Sequence, residues 1–401
     1  MLKKFLQALL VSGSVIMSFA ATAQTPTLNA PMPVLDSATA APIVPTAPQL
    51  AASSYLLIDA NSGKVLVEHN PDQPLPPASL TKMMTSYIAS LEIQRGQIAE
   101  EDMVLISEKA WRMGGSKMFI EVGTQVRVID LLRGIIIQSG NDASVAMAEH
   151  IAGSEEAFAD LMNSHARRLG MSNTHFENST GWPAEGHVAS ARDLATLAKA
   201  IIRDDPEHYE IYKEKEFLWH GIKQPNRNLM LWRDSTVDGL KTGHTEEAGY
   251  CLVASAEREG MRLISVVMGT SSEAARAAET QKLLTWGFRF FETRAFYQPG
   301  QVVSTARVWA GAQDQVELGL NEGLVMTMPR GQMDKLEAGV TMNNAIKAPI
   351  AAGDVLGQVE VKLGEEVVHT APLVALRAVE EAGIFGRLWD TVRLFFYNLF
   401  N

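Results

Sequence analysis

The feature that most constrains the fold is a hydrophobic period that changes twice along the chain. Ser54–Asp59 and Lys64–Glu68 alternate as strands around an Asn-Ser-Gly turn, which is a hairpin signal. From about residue 80 to 215, apolar residues recur instead at three and four positions, which is typical of helices. Alternation returns in Tyr250–Glu257 and Met261–Met268. We therefore expect strands from both ends of one domain to enclose a helical insertion.

The same criterion places the individual helices and the later strands. The predicted helices are Ile129–Ile137, Ala143–Ile151, Glu155–Leu169, Ala191–Ile202 and Leu283–Thr293, the last of which contains Trp286. Beyond about residue 295, short strand-like runs alternate with turns: Val302-Val303, Arg307–Trp309, Leu324–Met328 and Val355–Leu363. We expect these runs to form a separate small β-sandwich that acts as a spacer or docking module.

The stretch Pro76–Met84 reads as a nucleophile at the start of a buried helix. Two prolines stop any preceding element, and the helix that begins near Ser79 has an apolar stripe at Leu80, Met83, Met84, Tyr87, Ile88 and Leu91. Ser79 and Lys82 project from one face of its first turn, so an amine lies beside a hydroxyl. The unpaired N–H groups of that turn favour negative charge. Alternatively, an isolated Ser-x-x-Lys is a helix cap followed by a solvated lysine.

Two later motifs favour the catalytic interpretation. Ser139-Gly140-Asn141 follows an apolar run and falls between two predicted helices, and Lys241-Thr242-Gly243-His244 precedes a predicted strand. The set Ser-x-x-Lys, Ser-x-Asn and Lys-Thr-Gly, in this order, is typical of penicillin-binding proteins and serine β-lactamases.

On these motifs the chain resembles the D-alanyl-D-alanine carboxypeptidases among the low-molecular-mass penicillin-binding proteins, of the membrane-anchored type with a C-terminal β-domain. The resemblance covers nearly all of the mature chain. It implies an α/β (α+β) fold of the serine β-lactamase and transpeptidase type, in which helices flank a sheet. An all-helical subdomain completes that fold, with the active site in the cleft between the two parts. The implied partners are a peptidoglycan pentapeptide ending in D-Ala-D-Ala and β-lactam antibiotics.

Acyl transfer needs an activated hydroxyl, a base, an oxyanion site and groups that hold the substrate. Ser79 is the expected nucleophile toward the carbonyl of the penultimate D-alanine, and Lys82, if neutral, is the expected base. Because lysine is a poor base at its free pKa, burial and a second cation must disfavour its charge, and Lys241 is the expected cation. Ser139 is expected to pass a proton to the leaving amine, and Asn141 to orient Lys82 and the substrate backbone.

The resemblance implies the remaining roles. The backbone N–H groups of Ser79 and His244 would form the oxyanion hole, with Gly243 in the same substrate-binding strand. Thr242 and Arg276 would hold the terminal carboxylate, because a guanidinium is a fork of donors that suits a carboxylate. The alternative for Arg276 is an ordinary surface charge.

Two other functions are alternatives to the carboxypeptidase. A serine β-lactamase is disfavoured because Gly140 stands where class A enzymes have Asp, and no Glu-x-x-Leu-Asn segment supplies a deacylating glutamate. Glu177 lies at a plausible distance but in a different sequence context. A catalytically silent scaffold that binds peptidoglycan is disfavoured because Ser79, Lys82 and Lys241 are all intact.

Composition and the N-terminus indicate an exported globular protein. The chain has 401 residues, of which 46% are hydrophobic and 20% charged, and this suits two packed domains. Lys3 and Lys4, an apolar run and Ala21-Thr22-Ala23 predict a signal peptide over 1–23 in preference to a permanent anchor. Removing two lysines changes the net charge from −11 to −13, so nucleic acid is not an expected partner.

Cysteine and histidine usage excludes other chemistry. A single cysteine cannot form an internal disulfide, and Cys251 lies in a strand-like run that indicates a buried, unreactive thiol. None of the nine histidines has the spacing of a metal site. We therefore expect neither a metal nor a cofactor.

The predicted domain order continues with a Pro/Ala/Thr-rich flexible or extended linker over 24–50, the catalytic domain over 51–294 and the β-domain over 295–378. An amphipathic helix over 379–401 ends the chain. Its apolar face comprises Phe385, Leu388, Trp389, Val392, Phe395, Phe396, Leu399 and Phe400. We expect this helix to lie in the outer leaflet of the inner membrane, which places the enzyme on the periplasmic face. A core helix docked on the protein is the alternative.

Overall fold

The computed structural model describes residues 44–343, 345–386, 388–390 and 392–393. The predicted signal peptide, the linker as far as residue 43 and the end of the predicted C-terminal helix lie outside the described residues. The strands are β1 (Ser54–Asp59), β2 (Val65–His69), β3 (Met103–Leu105), β4 (Gln125–Arg127), β5 (Glu216–Trp219), β6 (Ile222–Pro225), β7 (Val237–Thr245), β8 (Gly249–Arg258), β9 (Met261–Thr270), β10 (Phe291–Tyr297), β11 (Val302–Trp309), β12 (Gln315–Gly319), β13 (Leu324–Pro329), β14 (Leu336–Met342), β15 (Ile346–Lys347), β16 (Val355–Leu363) and β17 (Glu366–Ala375).

Most of the helices lie between β2 and β7. They are α1 (Lys82–Gln94), α2 (Glu108–Arg112), α3 (Val128–Arg133), α4 (Asn141–Ala152), α5 (Glu155–Leu169), α6 (Ala191–Asp204), α7 (Pro206–Tyr209), α8 (Met230–Arg233) and, after β9, α9 (Glu273–Phe290). Short 3₁₀ turns span Ala78–Thr81, Glu210–Lys213 and Met333–Lys335, and a π-helical turn spans Gly134–Gln138.

The central sheet joins both ends of the catalytic region, as the sequence pattern predicts. Its order is β2-β1-β9-β8-β7, and all of its pairs are antiparallel. β1 pairs with β9 along its whole length, so Leu57 lies opposite Ser265. The 3₁₀ turn before α1 packs beside β7, and this contact brings the first motif to the third.

The helix after the Ser-x-x-Lys motif is buried, as predicted, but more completely than an apolar stripe on one face implies. All residues from Lys82 to Ser90 are buried, because α1 lies at the centre of the helical region and is covered on every side. The large apolar cluster around α1 contains Met83, Met84 and Ile88, together with residues of α3 and α4. A helix buried all round places Lys82 away from solvent, and this determines its chemistry.

The predicted closing helix Leu283–Thr293 is wrong at both ends. The helix α9 begins at Glu273, where the Ser272 side chain accepts a hydrogen bond from Ala275 N and caps the helix. Its first half is rich in Ala and polar residues, so the apolar period is visible only from Leu283 onward. Phe291–Thr293 belongs to β10.

Residues 44–50, which fall in the predicted flexible or extended linker, lie against the catalytic domain. Val44, Ala47 and Leu50 pack against the cluster that α9 forms with the sheet. The Trp286 indole donates a hydrogen bond to the Pro45 carbonyl at 3.2 Å. The described end of the linker is therefore an irregular segment held by α9.

The C-terminal region is β-rich, as predicted. β10 pairs with β13, and a six-stranded sheet has the order β14-β16-β17-β12-β11-β15 around a separate apolar core. The predicted boundary at 294/295 falls inside β10 and stays a prediction. Val379 and Glu381 still form isolated bridges to this domain, so the described part of the last helix starts at Ile384.

Candidate active site

Ser79 lies in the 3₁₀ turn Ala78–Thr81, immediately before α1. The Lys82 side chain, one turn later, places its Nζ 3.0 Å from Ser79 Oγ. Ser79 lines a cleft of about 990 Å³ between the sheet and the helical region. The predicted pairing of amine and hydroxyl is therefore present at hydrogen-bonding distance.

The amine of Lys82 has two further neighbours, and both are oxygen acceptors. It donates to Asn141 Oδ1 at 2.7 Å and to the Thr180 carbonyl at 2.6 Å. The pKa of Lys82 is lowered to about 7, chiefly by burial and to a smaller extent by the positive charge of Arg227, while the carboxylate of Asp142 opposes both effects. A substantial fraction of Lys82 is thus neutral at neutral pH.

The second motif lies at the break between the π-helical turn and α4. Asn141 Nδ2 donates to the Gly114 carbonyl at 2.8 Å, which turns its Oδ1 toward Lys82. Ser139 adopts a left-handed conformation with φ 66°. Its Oγ is buried beside the cleft, and within the described part of the chain it has no hydrogen-bond partner. A hydroxyl in this state is free to bond to a substrate.

Gly140 is required by its neighbours. A Cβ there would lie 2.9 Å from Asp142 Oδ1 and 3.0 Å from the Met118 backbone N. The Asp142 carboxylate accepts hydrogen bonds from the backbone N–H groups of Met118 and Phe119 at 2.8 and 2.9 Å. The space that a larger residue at position 140 would need is therefore used to hold the loop that rims the cleft.

The third motif lies on β7, and Gly243 permits its close approach to the nucleophile. A Cβ at this position would be 2.9 Å from the Pro77 carbonyl and 3.3 Å from Ala78 Cβ. Thr242 and His244 line the same cleft. The His244 ring stacks on Tyr250 with 3.9 Å between centroids.

Lys241 was expected to be the cation that disfavours charge on Lys82. Lys241 is fully buried, and burial, with the charges of Lys82, Arg227 and Arg276, lowers its pKa well below the usual value. Arg227 exerts the largest effect of a neighbouring charge on the pKa of Lys82. The persistent cation of the cleft is therefore an arginine, because guanidinium groups stay charged in proteins.

Arg276 lies in the first turn of α9 and is only 3% exposed. It donates to the Gly243 carbonyl at 3.2 Å, and its guanidinium lies 5.6 Å from the centre of the Tyr250 ring. Burial lowers its pKa from the ordinary arginine value. These contacts argue against the surface-charge alternative and direct Arg276 into the cleft beside Thr242.

Two contributors to the cleft were not predicted from the sequence. Arg227 is held between Asn226 and Asn228, whose buried amides bond to neighbouring backbone, including Asn228 Nδ2 to the Gly239 carbonyl at 3.0 Å. The second is the loop of residues 178–183, which supplies the Thr180 carbonyl to Lys82. The available signals were an arginine between two asparagines and a Gly-Trp-Pro turn.

The thiol of Cys251 is buried, as expected from its strand; it forms no disulfide and donates to the Ala248 carbonyl at 3.5 Å. Burial raises its pKa to about 11, so it is inert at neutral pH. Glu177 is bonded to His175 at 2.9 Å and does not line the cleft.

Comparisons with known proteins agree with the architecture of this site. Residues 41–272 match the family described as D-alanyl-D-alanine carboxypeptidase, and residues 291–381 match the domain described as penicillin-binding protein 5, C-terminal domain. The chain is 47% identical over 366 residues to D-alanyl-D-alanine carboxypeptidase DacA of Escherichia coli. The aligned residues cover 89% of this chain and 91% of the relative.

Two further matches have similar coverage. D-alanyl-D-alanine carboxypeptidase DacC of Escherichia coli is 47% identical over 362 residues, which cover 88% of this chain and 90% of the relative. The crystal structure of penicillin-binding protein 5 from Haemophilus influenzae superposes with a TM-score of 0.80 at 45% identity, over 84% of this chain and 99% of that one. The chain therefore belongs to the D-alanyl-D-alanine carboxypeptidase family of penicillin-binding proteins, which are serine hydrolases.

Proposed function

We propose that Ser79 attacks the carbonyl of the penultimate D-alanine in a peptidoglycan pentapeptide and releases the terminal D-alanine. The observation that carries this proposal is the distance of 3.0 Å between Lys82 Nζ and Ser79 Oγ. The Ser79 Oγ–carbon bond forms, the peptide C–N bond breaks and the leaving amine takes a proton. Water then hydrolyses the acyl-enzyme and restores Ser79.

Lys82 serves as the base because its surroundings match a neutral amine. A neutral amine has two N–H donors and one lone pair. Asn141 Oδ1 and the Thr180 carbonyl can only accept, so they take the two donors. The lone pair is then left for the hydroxyl proton of Ser79, which is the proton that base catalysis removes.

The remaining roles follow the lining of the cleft. Ser139, whose Oγ has no other partner in the described chain, passes the proton to the leaving amine. The backbone N–H groups of Ser79 and His244 stabilise the oxyanion. Thr242 and Arg276 hold the terminal carboxylate, and Arg227 adds positive charge at the same end.

The test of this function is covalent labelling. A labelled penicillin should attach to the wild type with one label per chain, and Ser79→Ala should take up none, because a β-lactam acylates the same hydroxyl. D-alanine release from a pentapeptide should fall by at least about 10³-fold in that variant. Ser235→Ala, which alters an exposed turn serine, should label like the wild type. Undiminished labelling of Ser79→Ala would contradict the proposal.

The lifetime of the adduct separates a carboxypeptidase from a β-lactamase. Among the described residues, the carboxylates that line the cleft are Glu246, Glu247 and Glu273, and none of these three lies in the sequence context of the deacylating glutamate. We therefore expect the penicillin adduct to be long-lived. Rapid release of hydrolysed penicillin would favour the β-lactamase alternative.

The location of the enzyme is part of the proposal. Within the described residues no helix is both long and apolar enough to cross a membrane. The described part of the last helix exposes Ile384, Phe385, Leu388 and Trp389. Its Asp390 faces the β-domain instead and accepts a hydrogen bond from Ala310 N at 3.0 Å. These contacts support a helix that keeps its polar side on the protein and offers its apolar side to the outer leaflet of the inner membrane.

A further inference from the structure

His187 is a buried histidine that belongs to none of the three motifs, and its side chain makes two hydrogen bonds. Its Nε2 lies 2.8 Å from Thr81 Oγ1, in the 3₁₀ turn that carries Ser79. Its Nδ1 accepts a hydrogen bond from the backbone N–H of Glu177 at 3.1 Å. The imidazole therefore joins the nucleophile turn to the segment that leads into the loop of residues 178–183.

The position of the proton on this ring follows from its two partners. A backbone N–H can only donate, so Nδ1, which faces Glu177, must be the nitrogen without a proton. The proton then resides on Nε2, and the ring donates it to the hydroxyl oxygen of Thr81. Burial lowers the pKa of His187 to about 4, so the ring is neutral at neutral pH. The bridge thus has a fixed direction, from the Glu177 N–H through the ring to Thr81.

The nucleophile turn depends on contacts from outside. Ala78 has a φ of 48°, a left-handed conformation that is strained for a residue with a Cβ. Such a conformation persists only where the surrounding structure holds the backbone. Thr81 does not use its hydroxyl to cap α1, although threonine is a preferred cap. That hydroxyl is bonded to His187 instead, so a local capping bond is exchanged for a contact that ties the turn to a distant segment.

Both ends of this bridge lead to groups that hold the Lys82 amine. Thr81 directly precedes Lys82, and its turn places Ser79 Oγ 3.0 Å from the amine. Glu177 comes shortly before Thr180, whose carbonyl accepts from the same amine at 2.6 Å. A misplacement of reacting groups by about 1 Å can slow catalysis by about 10²-fold. A ring that joins the turn to the loop therefore fixes the relative position of two oxygen atoms bonded to the catalytic base.

We propose that His187 is a positioning residue for acyl transfer, which holds the Ser79 turn and the Thr180 carbonyl in place around Lys82. Neither His187 nor Thr81 is among the described residues that line the catalytic cleft, so the effect is exerted through their neighbours. This inference rests on the proposed function, because it assumes that Ser79 is the nucleophile and Lys82 the base. The consequence is that a chain without the bridge keeps every catalytic group and is acylated slowly.

The test is the second-order rate of attachment of a labelled penicillin, measured on the sites that become labelled. His187→Leu and Thr81→Val each break the bridge from one side and should slow attachment by about tenfold. Because both remove the same hydrogen bond, the double variant should be no slower than the slower single variant. His187→Gln supplies a neutral side chain with one acceptor and a donor, and it should restore most of the lost rate.

His165→Leu is the matched control. His165 is also buried, in α5, and burial lowers its pKa to about 4, but its ring accepts a hydrogen bond from Arg168 at 2.7 Å. His165→Leu should lower the melting temperature and keep the wild-type rate of attachment. Loss of folded protein reduces the number of labelled sites and not the rate measured on them, so this readout separates positioning from stability.

The possible outcomes are distinct. A wild-type rate in Thr81→Val or His187→Leu, or losses that multiply in the double variant, would overturn the positioning role. Thr81→Val and His187→Gln keep the test decisive if His187→Leu does not fold. If penicillin does not label Ser79 in the wild type, the proposed function itself fails, and the positioning role fails with it.

Discussion

The amine of Lys82 is fully buried and lies among three oxygen atoms, while two charges of opposite sign act on it from further away. Arg227 lowers its pKa and the carboxylate of Asp142 raises it, but burial is the largest effect and leaves the pKa at about 7. Asp142 also holds the rim of the cleft through Met118 N and Phe119 N. Its carboxylate therefore organises the site and simultaneously limits how far the pKa of Lys82 can fall.

We expect the rate of peptide hydrolysis to increase with pH through about 7 and then to level off. The sign follows because the catalytic base must be the unprotonated amine, and a group with pKa near 7 loses its proton as the pH passes that value. Lys82→Arg, which cannot be deprotonated, should lose about 10²–10⁴-fold in kcat/KM. The measurement is kcat/KM for D-alanine release between pH 5 and 9.

The same profile tests the role of Arg227. Arg227→Gln removes a positive charge near Lys82, so the ammonium becomes easier to form and the rising limb should move to higher pH. Arg233→Gln removes an exposed arginine that does not line the cleft, and its limb should stay in place. If the rising part of the pH profile stays at the same pH in Arg227→Gln, another group lowers the pKa of Lys82. This conclusion holds whatever the maximal rate of the variant.

At the scale of elements, the loop of residues 178–183 holds Lys82 through the Thr180 carbonyl. The Asn178 side chain closes this loop by accepting from the N–H groups of Gly181 and Trp182 at 2.8 and 3.1 Å. Buried Glu155 anchors its start, since it accepts from Ser179 N and Oγ at 3.2 and 2.8 Å. The Thr180 carbonyl reaches Lys82 because both ends of the loop are fixed.

The loop lies very close to the 3₁₀ turn that carries Ser79, and only a glycine fits at position 181. Its φ is 80°, and a Cβ would lie 1.8 Å from the Ala78 carbonyl oxygen. We expect Gly181→Ala to displace the loop, weaken the hold on Lys82 and slow acylation by penicillin by about tenfold or more. The second-order rate of labelled-penicillin attachment measures this effect.

Gly170→Ala is the matched control for that substitution. Gly170 also has a left-handed φ, of 77°, but a Cβ there meets nothing within 4 Å. The substitution Gly170→Ala should lower the free energy of unfolding by about 1 kcal/mol through backbone strain alone and leave the acylation rate unchanged. Equal acylation rates in the two variants would show that the contact between Gly181 and Ala78 does not position the site.

At the scale of the whole molecule, the catalytic sheet is joined to the β-domain by polar contacts. Ser62 Oγ lies 2.6 Å from Thr327 Oγ1, and Thr293 Oγ1 donates to buried Asp59 at 2.9 Å. Lys64 Nζ donates to the Thr327 carbonyl at 3.1 Å. The β1–β2 turn is thus fastened to β10 and β13 by several polar contacts.

Deleting residues 383–401 should release an active enzyme from the membrane. The deletion removes the exposed apolar side of the last helix and leaves the bridges at Val379 and Glu381 in place. We expect the truncated chain to move from the membrane pellet to the soluble fraction with its D-alanine release unchanged. Sedimentation is scored after mass spectrometry has verified cleavage of the signal peptide.

Point substitutions test whether the apolar side chains themselves, and not merely the presence of the helix, are needed for membrane binding. Phe385→Asp with Trp389→Asp in the full chain should also abolish binding to anionic vesicles. Val367→Asp, which adds a charge at an exposed apolar position of β17, should not. Membrane sedimentation that persists in both the truncation and the double variant would exclude the C-terminal anchor.

The sequence by itself determined the local order: the hairpin, the bounds of Glu155–Leu169, the strands β8 and β9, and the three motifs with their residue types. Period, turn residues and spacing act over a few positions, so they can be read without the fold. The start of α9 was not predicted because the small and polar residues there have no apolar period, although Ser272 is a capping signal.

Ser79 and Asn141 were expected beside Lys82, but only the tertiary structure decided which further groups act on it. Arg227 and Thr180 lie far from it in sequence, and neither belongs to a motif that spacing could reveal. Burial of α1 on all sides could not be inferred from a stripe of apolar residues, yet it is the main cause of the lowered pKa. A pKa depends on solvent and charge in three dimensions, and for this reason the chemistry of the base was settled by packing.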